Sequence, residues 1–494
     1  MTSLKPSVLN ISANDPMGLS GIHADLRAMN SMSVHGANVI SATTAQTQYQ
    51  FYDLNPVSQE AFKSQLDALY KQDIFNVVKV GLLADSIQAN ILINHPILKN
   101  KALIVDPVLA ASSGSIEQSC DRIEGLKCLM PLMDMITPNY DEVLILVGIA
   151  IEGPESLRLA AQAFIKLGVS SVLIKGGHGH HACEDYFYST QHEFYLSHSR
   201  HDKEFSRGTG CILASLIASS LALGSSLADS VVMAKMQLDA GFKHRFKLDD
   251  SSGSLQPPMW QEPLNIKEGE RLLTQLPQVY GQSLEKNLTF KPCHQSLGLY
   301  PVVDRAHWLE TLLPLGVKII QLRIKDLEAD ALKKEIQQAV KIARQYDVQL
   351  FINDYWQLAI ECEAFGVHLG QEDLGEANLL AISQAGLRLG LSSHCFFEVA
   401  RAKTINPSYI AFGPVYETQS KDMPWIPQGP AGLKYWRLHL PDVPMIAIGG
   451  ISGERFQQVK DTGVDSIAMI SAITEHEDPQ KATREYISAF AISK

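Results

Sequence analysis

The chain is expected to be α/β throughout, with a three-layer α/β/α domain over 1–262, a linker over 263–290 and a closed (β/α)8 barrel over 291–494. Three observations lead there. A length of 494 residues exceeds what one hydrophobic core normally supports. Short β-branched runs alternate with longer helical patterns in both halves, as in sheets whose parallel strands are joined by helices. Between the halves, 249–258 accumulates Asp, Ser, Gly and Pro, which continue neither a helix nor a central strand.

In the first half the strand candidates are 8–12, 39–42, 77–80, 103–106, 135–137 and 172–175. Ligands of such sheets bind beyond the carboxyl ends of the strands. The residues there are polar or glycine: Asn14-Asp15, Gln46, Gly81, Asp106-Pro107, Asn139 with Glu142, and Lys175-Gly176-Gly177. Gly208-Thr209-Gly210-Cys211 stands directly before an apolar helical run, 212–223. Glycines let backbone amides turn inward and a helix amino terminus adds partial positive charge, so this turn can hold an anion, and a thiol there is expected to have a lowered pKa. A glycine-rich start of a helix with a buried structural cysteine is the competing reading. His178, His180, His181 and Cys183 mix nitrogen and sulfur ligand types, but no second ligand group is paired with them and no metal is assigned there.

Within the linker, 266–276 has helical spacing. After it the strand candidates are 298–303, 318–325, 349–352, 366–369, 388–391, 409–412, 445–448 and 466–470, the number a closed (β/α)8 barrel requires. Along 320–326 polar and apolar residues alternate, so Gln321, Arg323 and Lys325 project from one face and Leu322 and Ile324 from the other. Like charges on one strand face repel unless an anion lies between them, and the stretch reads either as an anion cradle or as a basic exposed face. The active sites of such barrels lie at the strands' carboxyl ends, and those ends are dense in cations, carboxylates and hydroxyls. Asp354 and Asp373 can hold a hard cation such as magnesium, Ser392-Ser393-His394 ends the fifth strand, and Gly449-Gly450 with Ser471 occupies the usual phosphate-binding corner.

A formal net charge of -11 argues against general affinity for nucleic acid or anionic membrane, so any phosphate site is a local cluster. The seven cysteines are widely spread without zinc or redox spacing, as in a reducing compartment. The first residues show no export signal, and the apolar run beginning at Cys211 is too short to span a bilayer. A cytoplasmic protein is expected, with small-molecule partners and room for a homo-oligomer.

The order of motifs in the first half resembles the hydroxymethylpyrimidine and phosphomethylpyrimidine kinases of the ribokinase-like superfamily. The matching pieces are Ala13-Asn14-Asp15-Pro16 through Asp25-Leu26, Ala45-Gln46-Thr47, Lys79-Val80-Gly81-Leu82, Val105-Asp106-Pro107-Val108, Thr137-Pro138-Asn139-Tyr140-Asp141-Glu142, Lys175-Gly176-Gly177-His178 and the turn before the apolar helix. The resemblance implies that Asp25 and Gln46 hold the aminopyrimidine and that Asp106 and Glu142 handle magnesium and phosphate. It further implies that Lys175, Gly208 and Gly210 meet nucleotide phosphate from ATP, and that Cys211 and nearby amides stabilise the transferring phosphoryl group. Ala13, Met17, Leu19, Arg207 and Ile212 depart from the family pattern.

The second half resembles thiamine-phosphate synthase, a TIM-barrel family, over almost its whole length. It carries Leu299-Tyr300-Pro301-Val302-Val303-Asp304-Arg305, Gln321-Leu322-Arg323-Ile324-Lys325-Asp326, Phe351-Ile352-Asn353-Asp354, Gly366-Val367-His368-Leu369-Gly370-Gln371-Glu372-Asp373, Gly413-Pro414-Val415-Tyr416-Glu417-Thr418-Gln419-Ser420-Lys421 and Ala447-Ile448-Gly449-Gly450-Ile451. The resemblance assigns Gln321, Arg323, Lys325, Asn353, Ser392 and Lys421 to a pyrimidine pyrophosphate, Asp354 and Asp373 to magnesium, and Thr418, Ser420, Gly450, Ile470 and Ser471 to a thiazole phosphate. Arg323, Lys325 and Lys421 are then the catalytic cations. The implied function is two steps of thiamine biosynthesis, with hydroxymethylpyrimidine and its phosphates, thiazole phosphate and ATP as partners. The alternative is an active synthase attached to a non-catalytic pyrimidine-binding first domain.

Overall fold

The computed structural model describes residues 5–47, 49–109, 120–176, 183–201, 207–249, 253–262, 272–281, 288–294, 297–417 and 426–491. These fall into two compact units, one of Met1–Trp260 with Leu273–Gln282, the other of Gln261–Leu272 with Ser283–Lys494.

The first unit is built on a ten-stranded sheet. Its strands are β1 (Ser7–Asn14), β2 (His35–Gln46), β3 (Phe51–Pro56), β4 (Val77–Val80), β5 (Ala102–Val105), β6 (Met135–Ile136), β7 (Ser171–Ile174), β8 (Cys183–Ser189) and β9 (Glu193–His198). After the short pair β10 (Phe246–Lys247) and β11 (Gly253–Ser254) comes β12 (Gln278–Tyr280), which rejoins the main sheet. The order is β12-β9-β8-β7-β6-β5-β4-β1-β2-β3, with β2 through β7 parallel along the sheet and antiparallel strands at both margins. The chain goes from β1 to β2 on one side and to β4 on the other, so the order reverses at β1, where open α/β sheets leave a crevice for ligand.

Helices Gly21–Ser31, Thr209–Ala222 and Leu227–Lys243 pack on one another and against β1, β2, β4 and β5, while a second set from Gln59–Tyr70 to Pro154–Lys166 covers β2, β7 and β8. Three layers result. In Thr209–Ala222 every residue from Ile212 to Ser220 is buried, which is why it reads as apolar all round.

The second unit is a closed parallel barrel of β13 (Gly298–Val303), β14 (Ile319–Leu322), β15 (Gln349–Asn353), β16 (Gly366–Leu369), β17 (Arg388–Ser393), β18 (Tyr409–Phe412), β19 (Met445–Ile448) and β20 (Ser466–Met469). Alternate residues fill its interior, among them Tyr300, Val302, Ile319, Phe351, Tyr409, Ile446 and Ala468.

The antiparallel strands β3, β8, β9 and β12 are absent from the sequence-based strand set, and β12 falls inside the expected linker. The helical spacing at 266–276 lies mostly outside the described residues, and 272–276 forms no helix. Among the described residues no helix is long and apolar enough to cross a membrane.

Candidate active sites

In the first unit a cavity of 430 Å³ opens at the carboxyl ends of the parallel strands. Its walls include Asp15 after β1, Gln46 from β2, Asp106 after β5, Asn139 and Glu142 after β6, Lys175 after β7, and Arg207 through Cys211. Asp15 fixes the loop that follows β1, accepting hydrogen bonds from the amides of Met17 and Ser20 at 2.9 Å each and from the Ser20 hydroxyl at 2.7 Å. Asn139 and Glu142 close a reciprocal capping box at the start of Tyr140–Val147.

Lys175 Nζ lies 2.8 Å from Asp106 Oδ1 and 3.8 Å from Glu142 Oε2. Burial works against its charge, but Asp106 and Glu142 more than offset this and raise its pKa. Burial likewise raises Glu142, against the pull of Lys175. The group is thus one cation shared by two carboxylates. A divalent cation and nucleotide phosphate bring charges of both signs to such a place, and the donor set fits them.

The Gly-Thr-Gly turn is built as the spacing requires. Gly208 has φ +80°, and a Cβ there would stand 2.3 Å from the Leu19 carbonyl oxygen. One at Gly210 would come within 3.3 Å of both Asp106 Oδ2 and Lys175 Nζ. The expected lowering of the Cys211 thiol is reversed. Burial, reinforced by Asp25 and Asp106, pushes it up to about 12 against the influence of Lys79. The helix amino terminus does not overcome that environment, and Cys211 faces the cavity as a neutral thiol.

Asp25 also departs from its expected place. It is fully buried in a 2.8 Å ion pair with Lys79 and accepts a hydrogen bond from Ser215 at 2.8 Å. It does not line the cavity, because its position on Gly21–Ser31 turns it toward β4 and the apolar helix. Gln46 does line it, with Oε1 accepting from Arg207 Nη2 at 2.5 Å while Nη1 donates to the Thr47 carbonyl at 2.8 Å.

The barrel's cavity, 870 Å³, lies over the carboxyl ends of its strands. It gathers Gln321, Arg323, Lys325, Asn353, Asp354, Asp373, Ser392, Gly450, Ile470 and Ser471. Thr418, Ser420 and Lys421 lie outside the described residues. β14 ends at Leu322, yet the alternation persists, since Ile324 is buried while Arg323 and Lys325 face the cavity. Lys325 Nζ donates to Asp354 Oδ2 at 2.6 Å, and Asp354 has φ +63°, a strained conformation for a residue with a side chain. Asp373 is raised above the usual carboxylate range, chiefly by burial and further by Asp354 and Glu372, although the Gly370 amide and Lys325 oppose this. Crowded negative charge of this kind fits a cation. Among the described residues no three His, Cys, Asp or Glu side chains are grouped to hold a metal unaided, so ligand oxygens would complete the shell around Asp354 and Asp373.

Gly449 and Gly450, at φ +102° and +66°, leave space that a Cβ would take from Pro414 and from the Glu417 carbonyl. His368 and His394 also face the cavity, without an assigned role from sequence. The inward alternation of β16 could have marked His368, and the Ser392-Ser393-His394 strand end His394. His394 Nδ1 lies 2.7 Å from Glu398 Oε2.

Burial holds His368 down to about 4, so the ring is neutral near pH 7. An unfolded histidine takes up its proton near 6.5, so the stability gained by burying this neutral ring is complete above that pH and is lost as pH falls toward 4. The loss is on the order of 3 kcal/mol. The urea midpoint of the barrel is expected to drop across that window, and to drop less in His368→Gln. An equal drop in the two proteins would refute the assignment.

Comparison with known proteins gives two matches along the chain. Residues 15–256 match the phosphomethylpyrimidine kinase family and residues 299–473 the thiamine monophosphate synthase family. The thiamine-phosphate synthase of Photorhabdus laumondii is 53% identical over 201 residues, which are 41% of this chain and 93% of that protein. That of Pectobacterium atrosepticum is 54% identical over 198 residues, 39% of this chain and 92% of that protein. Among solved structures, a phosphomethylpyrimidine kinase from Clostridium difficile is 27% identical with TM-score 0.43, covering 48% of this chain and 98% of its own. A pyridoxal kinase from Staphylococcus aureus in complex with ADP is 22% identical with TM-score 0.49, covering 56% and 99%.

Proposed function

The chain belongs to the thiamine-phosphate synthase family through its barrel, with a phosphomethylpyrimidine kinase domain ahead of it, and from that premise we propose a bifunctional transferase of thiamine biosynthesis that makes its own coupling substrate. The first unit moves phosphoryl groups from ATP to hydroxymethylpyrimidine and then to its monophosphate. The barrel joins the resulting pyrimidine pyrophosphate to thiazole phosphate. The observation that carries the reading is the convergence of Arg323, Lys325, Asp354 and Asp373 on one cavity.

In the coupling step the bond from the pyrimidine methylene carbon to pyrophosphate oxygen breaks, with the electron pair leaving on oxygen. The thiazole nitrogen lone pair then forms the new carbon–nitrogen bond. Arg323 and Lys325 hold the charge that develops on the departing oxygens, and Lys421 is assigned to the same task by resemblance. Magnesium on Asp354 and Asp373 would supply further neutralisation of that charge. Val302, Ile446 and Ile448 give the cavity an apolar wall on which the pyrimidine ring can rest. No protein nucleophile is required.

In the first unit Lys175 meets the nucleotide phosphates, and the amides of the Gly208 turn, with the neutral Cys211 thiol, receive the transferring group. Arg207, bonded to Gln46, favours a second reading in which this cavity only binds pyrimidine. One experiment separates the two: the whole chain is incubated with hydroxymethylpyrimidine, ATP, magnesium and thiazole phosphate, and each intermediate is followed. Pyrimidine mono- and pyrophosphate should appear before thiamine phosphate. Product formed only from added pyrimidine pyrophosphate would exclude the kinase activity.

A further inference from the structure

Five polar side chains cross the barrel at the floor of the cavity in a continuous hydrogen-bonded line, and all but Tyr409 line it. Gln321 Nε2 donates to the Tyr300 hydroxyl at 3.4 Å, and the hydroxyls of Tyr300 and Tyr409 are 2.9 Å apart. His368 Nδ1 is 2.8 Å from the Tyr409 hydroxyl, and its Nε2 is 2.9 Å from Ser392 Oγ. Tyr300 and Tyr409 are shut off from solvent, and Gln321 and His368 nearly so. The His368 and Tyr409 rings stack, with centroids 5.6 Å apart and planes at 18°. Gly390 on β17 makes room for the line, since a Cβ there would stand 2.1 Å from Tyr409 Cζ.

Proton counting permits two directions along the line. Each hydroxyl has one proton to donate and a neutral imidazole has one donor and one acceptor. If the line starts from the Gln321 amide, Tyr300 donates to Tyr409, Tyr409 donates to His368 Nδ1, and Nε2–H donates to Ser392 Oγ. The Ser392 hydroxyl proton is then left to point into the cavity. In the reverse direction Ser392 spends its proton on Nε2 and shows an anion only lone pairs.

We propose that the line works in the first direction, with Tyr300, Tyr409 and His368 acting as positioning residues that hold His368 in its Nε2–H form and make Ser392 a hydrogen-bond donor to pyrophosphate. This rests on the synthase reading above. The Gln321 amide, at the other end of the line, thereby sets the polarity of a hydroxyl it does not touch.

The test uses the full chain labelled with 15N-histidine, in magnesium and inorganic pyrophosphate, with the His368 signals identified by their loss in His368→Gln. The expected spectrum is that of an Nε2–H imidazole. Tyr409→Phe should mix the two tautomers and weaken pyrophosphate binding by the factor by which the Nε2–H population falls, about twofold for an even mixture. Ser392→Ala should weaken binding about tenfold, the size of one hydrogen bond to a charged group, while keeping the tautomer, and the double variant should be no weaker than Ser392→Ala alone. An Nδ1–H ring in the pyrophosphate complex overturns the inference while leaving the synthase reading standing. So does a folded Tyr409→Phe that binds pyrophosphate as the parent does. Absence of pyrophosphate binding by the parent chain overturns both.

Discussion

Arg323→Ala is expected to lower kcat/KM for coupling pyrimidine pyrophosphate to thiazole phosphate by about a thousandfold, the upper range for removing one group that stabilises transition-state charge. The Arg323 side chain lines the cavity and forms no hydrogen bond or ion pair with the other described residues, its backbone amide alone donating to the Val303 carbonyl at 2.7 Å, whereas Lys325 is tied to Asp354. No carboxylate among the described residues neutralises its charge, which acts in full on an anion. It lies beyond the last paired residue of β14, so its loss leaves the barrel's ladder intact. The thermal transition should stay near that of the parent while steady-state coupling collapses. A variant that couples at the parent's rate would remove Arg323 from the mechanism.

Lys175→Met should be severe in a different way, because it takes the cation from two buried carboxylates at once. Breaking a buried ion pair from one side costs about 3–5 kcal/mol, since the remaining charge is left uncompensated. Glu142, already raised by burial, then takes up a proton, and the first unit loses stability. Phosphorylation of hydroxymethylpyrimidine should fall below detection, with the unfolding transition of the first unit at lower temperature. Coupling of supplied pyrimidine pyrophosphate should persist. Retained kinase activity in this variant would show that Lys175 does not meet the nucleotide phosphates.

The barrel was the more legible half. Its strands are buried on both faces and separated by helices, so each stands out as a short apolar run, and the carboxyl ends pointed directly to Arg323, Lys325, Asp354 and Asp373. The margins of the first sheet were harder to read. β8 and β9 mix tyrosine, phenylalanine and charge without an intervening helix, so they break the alternation of strand and helix that identified the others. Asp25 shows a further limit, since the resemblance implied a ligand contact while the face of its helix directs it to Lys79. Cys211 shows another, because the pull of a helix terminus on a thiol was visible in the spacing and the desolvation that outweighs it was not. Tyr300, Tyr409 and His368 went unmarked in the sequence, because their mutual pairing depends on the closure of the barrel.

The small strand β12 bears on how this polypeptide can be divided. It pairs with β9 through Gln278, Val279 and Tyr280, and its tyrosine ring stacks on Tyr195. A coding sequence stopped where the composition changes, near 262, would therefore yield a kinase half with β9 as a bare sheet margin, open to strand addition from another copy. A cut after Tyr280 keeps that strand with its sheet but takes Gln261–Leu272 from the second unit, so the two halves interleave along the chain and no single cut returns both whole.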